Sequence, residues 1–172
     1  RLELIAWARE HGAIILEDDY DSEYRYSGAP LPALQGLATD APVIYCGTFS
    51  KVMFPGLRIG YLIVPVDIAT AFRRAKWLAD RNTPMLEQAA LADFISEGHL
   101  ERHIRRMRRV YSARREALIE SLEKHFGARA QVLGDAAGMH ALVRVDDPGV
   151  IERALQNKVQ IRSARDYYVG NA

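Results

Sequence analysis

Gly47-Thr48-Phe49-Ser50-Lys51 sets one lysine behind two hydroxyl residues, and Arg58 follows seven positions after the lysine. An amine that is partly deprotonated can form a Schiff base with an aldehyde. Hydroxyls and a guanidinium are the usual partners of a phosphate. The set therefore suits an aldehyde cofactor with a phosphate tail, and this chemistry points to pyridoxal phosphate. A second group with chemical potential lies upstream. Glu17-Asp18-Asp19-Tyr20 follows an apolar run and offers carboxylates for a protonated ring nitrogen and a phenol for a ring oxygen. A carboxylate cluster of this kind is by itself more often a solvated acidic loop. It gains weight from the lysine motif after the next apolar run.

Rival chemistries fit less well. A Walker-type loop needs G-x-x-x-x-G-K-[ST], but here Ser50 precedes Lys51 and no glycine stands directly before the lysine. No G-x-S-x-G elbow or G-x-G-x-x-G turn is present. His99 and His103 stand four apart with Glu101 between them, which is not the H-E-x-x-H order of a zinc site. Helix packing or hydrogen bonding is the better account of both, and no metal is expected.

The elements that must position these residues follow from apolar patterning. Leu2 to Glu10 reads as the end of a helix, stopped by Gly12. Ala13 to Leu16 reads as a strand buried on both faces of a parallel sheet, ending in the carboxylates. Residues 27–42, rich in Pro, Gly and small residues, read as a loop. Val43 to Cys46 is a second buried strand leading into the lysine motif, and Ile59 to Val64 a third. Asp67 is placed to cap a helix carrying Ile68, Ala71, Phe72, Ala75 and Leu78. Pro84 opens another helix to about Glu97, with Gly98 as its stop. A long helix runs from His99 to about His125, with Leu100, Ile104, Met107, Tyr111, Leu118 and Leu122 as its apolar stripe. Beyond Gly127, strands are expected at Ala130 to Leu133, Met139 to Val145 and Val159 to Ile161, with a short helix from Pro148 and Gly149 to about Gln156.

Bulk properties exclude several classes. A net charge of +1 gives no global argument for nucleic acid or a membrane surface, and no apolar run approaches membrane-spanning length. The single cysteine, Cys46, excludes an internal disulfide framework and fits a reducing, cytoplasmic setting. Cys46 itself reads as a small buried hydrophobe. Trp77 and Phe94 read as core or interface residues. Arg102, Arg105, Arg106, Arg108, Arg109, Arg114 and Arg115 make the long helix basic, which reads as an ion-paired solvated face rather than a DNA contact. Tyr167 and Tyr168 are expected to pack on something beyond this sequence. Because the chain starts at Arg1 within helix-like sequence, part of a longer protein is expected.

The segment from Glu17 to Tyr26, then Gly47 to Lys51 with Pro55-Gly56-Leu57-Arg58, resembles the fold type I aminotransferases. More narrowly it resembles the aminotransferase-like domain of MocR-type transcription regulators of the GntR superfamily. Gly98-His99-Leu100-Glu101-Arg102-His103-Ile104-Arg105-Arg106-Met107-Arg108 and Ala137-Gly138-Met139-His140 support the narrower match. Free-standing relatives tend to carry a proline between the aspartate and the tyrosine, and this chain does not.

The resemblance implies an α/β fold: part of a pyridoxal-phosphate-dependent transferase of fold type I. Residues 1–98 would be the C-terminal part of the large cofactor-binding domain, 99–125 an interdomain helix, and 126–172 part of a small α+β domain. It implies that Lys51 is the Schiff-base lysine, that Asp18 rather than Asp19 partners the pyridine nitrogen, and that Tyr20 contacts the ring hydroxyl oxygen. Thr48, Ser50 and Arg58 would form the phosphate set. It further implies a homodimer, a small amino-compound effector or substrate, and DNA contact through a winged-helix domain upstream. The phosphate-cradling glycine loop and the substrate-carboxylate arginine would lie outside residues 1–172, so poor cofactor binding by this chain alone is expected. A free-standing aminotransferase, moving an amino group from an amino acid to a 2-oxo acid, is the alternative.

Overall fold

The structure, a computed structural model, describes residues 1–81, 83–134 and 137–167. It divides into two compact units, Arg1–Ser112 with Ala136–Met139, and Ala113–Asp135 with His140–Ala172. In the first unit, helix α1 (Leu2–Glu10) leads through Gly12, at φ +60°, into strand β1 (Ile15–Asp19). A positive φ is cheap only without a Cβ, which is why glycine makes this turn. Strand β2 (Val43–Thr48) lies parallel to β1 and pairs Ile15 with Val43 through to Asp19 with Gly47. The core forms where Ile5 of α1 and Leu34 and Ala41 of the intervening loop pack with Val43 of β2. Burial there removes apolar surface from water at roughly 25 cal/mol per Å².

Several elements depart from the sequence expectation. The strand expected over Ala13 to Leu16 runs instead from Ile15 into the carboxylates as far as Asp19. It is not buried on both faces. Ile15, Glu17 and Asp19 are partly covered, whereas Leu16 is 67% exposed and shares its face with exposed Asp18. Strand β3 (Gly60–Ile63) is exposed along its length and runs antiparallel to β2, pairing Thr48 with Gly60 and Tyr45 with Ile63. The three-stranded sheet is thus mixed, in the order β1-β2-β3.

Helix α3 (Ala69–Asp80) has Ile68 at its N-cap and no side-chain cap, so Asp67 does not play that part. A residue one position too early cannot reach the amides a capping oxygen serves. On α3, Trp77 is exposed and lies under the guanidinium of Arg81 at 5.1 Å, rather than in a core. Helix α4 (Met85–Ser96) ends at Gly98, at φ +71°. Helix α5 (His99–Phe126) follows at once.

In the second unit, strands β4 (Ala130–Leu133) and β5 (Leu142–Val145) pair antiparallel, and helix α6 (Val150–Gln156) follows. Residues 159–161 are not a strand. Lys158, at φ +61°, and the Val159 amide, donating to the Ala154 carbonyl at 2.8 Å, are spent closing the end of α6. Ahead of α6, Asp147 accepts from the Gly149 amide and pairs with Arg153, whose hydrogen bond holds the Asp147 carboxyl below its usual range. Tyr167 is exposed, and Tyr168 lies outside the described residues. Among the described residues no helix is long and apolar enough to cross a membrane.

Candidate active site at one edge of the sheet

Because β1 and β2 are parallel, both deliver their C-terminal residues to the same edge. Antiparallel β3 starts from that edge. Asp18 and Tyr20 at the end of β1, Thr48 to Lys51 after β2, and Arg58 just before β3 are therefore gathered there from three separate strand ends. Open α/β sheets bind ligands at the carboxyl ends of their parallel strands.

Lys51 sits on α2 (Phe49–Val52), a single helical turn. Thr48 holds extended backbone at φ −140°, and its Oγ1 accepts from the Ser50 amide at 3.1 Å. This is an N-cap, and it fixes how the turn leaves the strand. The Phe49 amide is taken by the Ile59 carbonyl at 3.0 Å, which ties the start of the turn to the entry of β3. Lys51 and Arg58 are exposed, while Thr48 and Ser50 are half-buried. Arg58 closes the short 3-10 turn Pro55–Leu57 in the left-handed region, at φ +53°. A non-glycine residue there is uncommon.

The far end of the lysine turn is held as well. The Val52 carbonyl accepts from Tyr24 Oη at 3.1 Å, and His103 Nε2 lies 3.0 Å from the same oxygen. Because a carbonyl only accepts, Nε2 must carry the proton. Tyr24 is fully buried, edge-on to Tyr111 at 5.0 Å, and burial pushes its phenol up to about 12. His103 is thus a hydrogen-bonding residue, as expected, with a partner that residue types do not reveal, and Tyr24 is a second donor with no mark in the sequence. The signal was weak because both serve a main-chain acceptor.

Gly47 has a steric reason. A Cβ on it would lie 2.3 Å from Cζ of Tyr61, its cross-strand partner. Tyr61 lies over the glycine and against Tyr45 and Phe49, with ring centroids 6.0 and 5.5 Å away.

The acidic cluster separates into distinct duties. Glu17 accepts from the Leu34 amide at 2.8 Å and the Gln35 amide at 3.2 Å, and pairs with Arg1. Asp19 accepts from the Ser22 amide and hydroxyl and, at 2.8 Å, from the Tyr45 hydroxyl. Asp21 accepts from the Met139 amide at 2.9 Å. Asp18 stands on the exposed face of β1 in register with Cys46, and its charge adds to burial in pushing the Cys46 thiol up. Tyr20 is 42% exposed at the same edge.

The segment from Ala137 to Met139 is bound to residues 21–26. Gly138 donates its amide to the Tyr24 carbonyl at 2.6 Å and accepts from the Tyr26 hydroxyl at 3.0 Å. Arg108 donates twice to the Glu23 carbonyl, at 3.0 and 2.7 Å. Elsewhere on α5, Arg105 pairs with Glu101 and Arg102 contacts His99. His99 stacks on half-buried Phe94 and contacts Glu97. Among the described residues, no group of three or more His, Cys, Asp and Glu side chains is placed to hold a metal.

The donor set tests well against a phosphorylated aldehyde. It comprises one amine, two hydroxyls beside a capped turn, a guanidinium, and a carboxylate on an open sheet face. The family model described as "Aminotransferase class I and II" matches residues 2–170. The "Probable rhizopine catabolism regulatory protein MocR" of Rhizobium meliloti is 43% identical over 165 residues, covering 96% of this chain and 32% of the relative. Among solved structures, Pyrococcus horikoshii kynurenine aminotransferase matches with a TM-score of 0.86 and 32% identity, over 97% of this chain and 42% of that one. LysN, the alpha-aminoadipate aminotransferase of Thermus thermophilus, matches with a TM-score of 0.80 and 31% identity, over 92% of this chain and 42% of that one. The chain thus spans about a third of the length of the curated regulator it matches.

Proposed function

Because the chain belongs to the aminotransferase class I and II family, we propose that the protein containing it holds pyridoxal phosphate at Lys51 and uses it to sense an amino compound. The observation that carries this reading is the gathering of Asp18, Tyr20, Thr48, Ser50, Lys51 and Arg58 at one sheet edge, with the lysine on a turn fixed at both ends. When bound, the cofactor supplies an aldehyde that condenses with amines and a ring that withdraws electrons.

The chain's own residues divide the remaining work. Lys51 is the member of the set that reacts covalently with an aldehyde and, once free, takes a proton. Asp18 holds the proton on the ring nitrogen through a charge-assisted bond. Tyr20 donates its phenol to the ring oxygen. Thr48, Ser50 and Arg58 hold the phosphate, the guanidinium matching its geometry. Asp19 is committed to Tyr45 and Ser22 and is the poorer partner for the ring.

Similarity to a regulator such as MocR supports a switching role, in which an effector amine competes for the site and the result is passed to a DNA-binding part of a cytoplasmic homodimer. The likeness to LysN and to kynurenine aminotransferase favours a second reading, a transaminase in its own right. Borohydride reduction of the full-length protein in the presence of pyridoxal phosphate, followed by peptide mapping, tests the first step. The adduct is expected on Lys51 and not on Lys76, Lys124 or Lys158, and K51A is expected to abolish it. Labelling spread evenly over the lysines would defeat the reading. Catalytic turnover of amino donors by the full-length protein would decide for the enzyme over the sensor.

A further inference from the structure

We propose that His103 and Tyr24 are positioning residues for Lys51, acting through the Val52 carbonyl. The proposal rests on the reading of Lys51 given above and adds the devices that hold it still. A four-residue helix leaves its last carbonyls without partners inside the helix. In α2 the Val52 carbonyl is instead taken by two donors from distant parts of the chain, Tyr24 Oη at 3.1 Å and His103 Nε2 at 3.0 Å. Val52 is itself buried, at 3% exposure, and Tyr24 at 0%. Thus the residue next to Lys51 is immobilised while Lys51 remains exposed. Thr48 fixes the first turn amide and these two donors fix the last carbonyl, so the lysine stem starts from a backbone clamped at both ends.

The two donors come from different elements. Tyr24 belongs to the segment after β1, whose backbone is joined to Gly138, and His103 to α5. The lysine turn is thereby referenced to the Asp18 strand on one side and to the long helix on the other. Placement of this kind matters because a reacting amine displaced by about 1 Å loses much of its advantage.

The test uses H103L, H103Q and Y24F in the full-length protein, with two readouts. The first, without cofactor, is amide hydrogen exchange across residues 49–53, where the Met53 amide donates to the Phe49 carbonyl. H103L and Y24F are expected to speed exchange there on the order of five- to tenfold, as the loss of one hydrogen bond implies. Protection of α1 and β1 should stay unchanged. H103Q, whose side-chain amide can donate from a similar place, is expected to restore protection. The second readout is the yield of borohydride-trapped pyridoxal adduct at Lys51, expected to fall several-fold in H103L and Y24F and to recover in H103Q. Uniform loss of protection across α1, β1 and α2, or an H103Q no better than H103L, would overturn the proposal. Should H103L not fold, Y24F, which removes only the hydroxyl, decides the matter by the same local exchange. Absence of any adduct in the unaltered full-length protein speaks against the cofactor reading, whereas unchanged exchange at 49–53 speaks against the clamp.

Discussion

Tyr45 on β2 donates its hydroxyl to Asp19 on β1 at 2.8 Å, and the same carboxylate oxygen takes the Ser22 hydroxyl at 2.6 Å. The pair ties the neighbouring strands at the edge where the candidate ligands gather, and it separates two adjacent carboxylates by duty. Burial, with this bond to Asp19, pushes the Tyr45 phenol well above its ordinary range. Replacing Tyr45 by Phe is expected to cost about 1.5–3 kcal/mol, the usual worth of a hydrogen bond to a charged group. Denaturant midpoints measure this. D18N should instead leave stability nearly unchanged, because Asp18 is exposed, while lowering the yield of trapped adduct at Lys51.

Thr48 has a structural duty apart from any ligand. T48A removes the cap on the lysine turn and is expected to destabilise by about 1 kcal/mol, whereas T48S retains most of it. Equal losses in the two variants on thermal unfolding would show that the hydroxyl bond to the Ser50 amide carries no weight.

Gly138 is fixed by both conformation and space. It sits at φ +74°, and a Cβ there would approach Asp21 Oδ2 to 2.6 Å, the oxygen that accepts the Met139 amide. G138A is expected to cost about 1–3 kcal/mol. Much smaller losses, read from unfolding curves, would mean that the 137–139 segment has room to re-seat.

The acid-side pH dependence centres on Glu23. Burial raises its carboxyl above the ordinary 4.5, and the Asp19 and Asp21 charges add to the rise. The folded chain therefore holds this proton more tightly than the unfolded one. Its contribution is favourable at low pH and is lost as pH rises from 4.5 through the raised native value. Relative to E23Q, the unaltered chain should lose stability over that interval. Arg108 bonds the Glu23 main-chain carbonyl, so that contact survives the substitution. Parallel stability curves for the two proteins from about pH 4 to 7 would contradict the assignment.

At the alkaline end Tyr24 and Tyr45 both contribute, since both phenols are raised. The Tyr24 proton is needed for the bond to Val52, and its phenol is raised from 10.0 to about 12. Stability tied to this proton is intact below pH 10 and falls as pH rises from 10 towards 12. Y24F should remove that part of the alkaline loss, as followed by circular dichroism against pH.

Long periodic elements were legible in the sequence. The apolar stripe of α5, apart from exposed Leu118, the buried run of β2 and the glycine stop after α1 each carry a local signal that tertiary context did not override. The direction of β3 was not legible, because apolar patterning holds no information on strand polarity. The short connection between Thr48 and Gly60 was the available clue, since parallel neighbours need a longer crossover. Val159 and Ile161 alternate like a strand, but the backbone beside them is consumed in closing α6. Within the candidate site, Lys51 and its hydroxyls were visible because they are contiguous. The clamp on Val52 was not, since its donors lie 28 and 51 residues away and its acceptor is main chain.

The pairing of Thr48 with Gly60 has a kinetic consequence. Thr48, Ser50, Lys51 and Arg58 all fall inside the segment that this pairing closes, so four of the six candidate ligands need only a short loop to come together. Loop-closure entropy is small at such separations, and local contacts form early. Asp18 and Tyr20 join only when β1 pairs with β2 across the long 20–42 connection. The anion-holding half of the edge is thus expected to assemble ahead of the carboxylate half. Substitutions within 43–63 should slow refolding, and those in β1 should chiefly hasten unfolding.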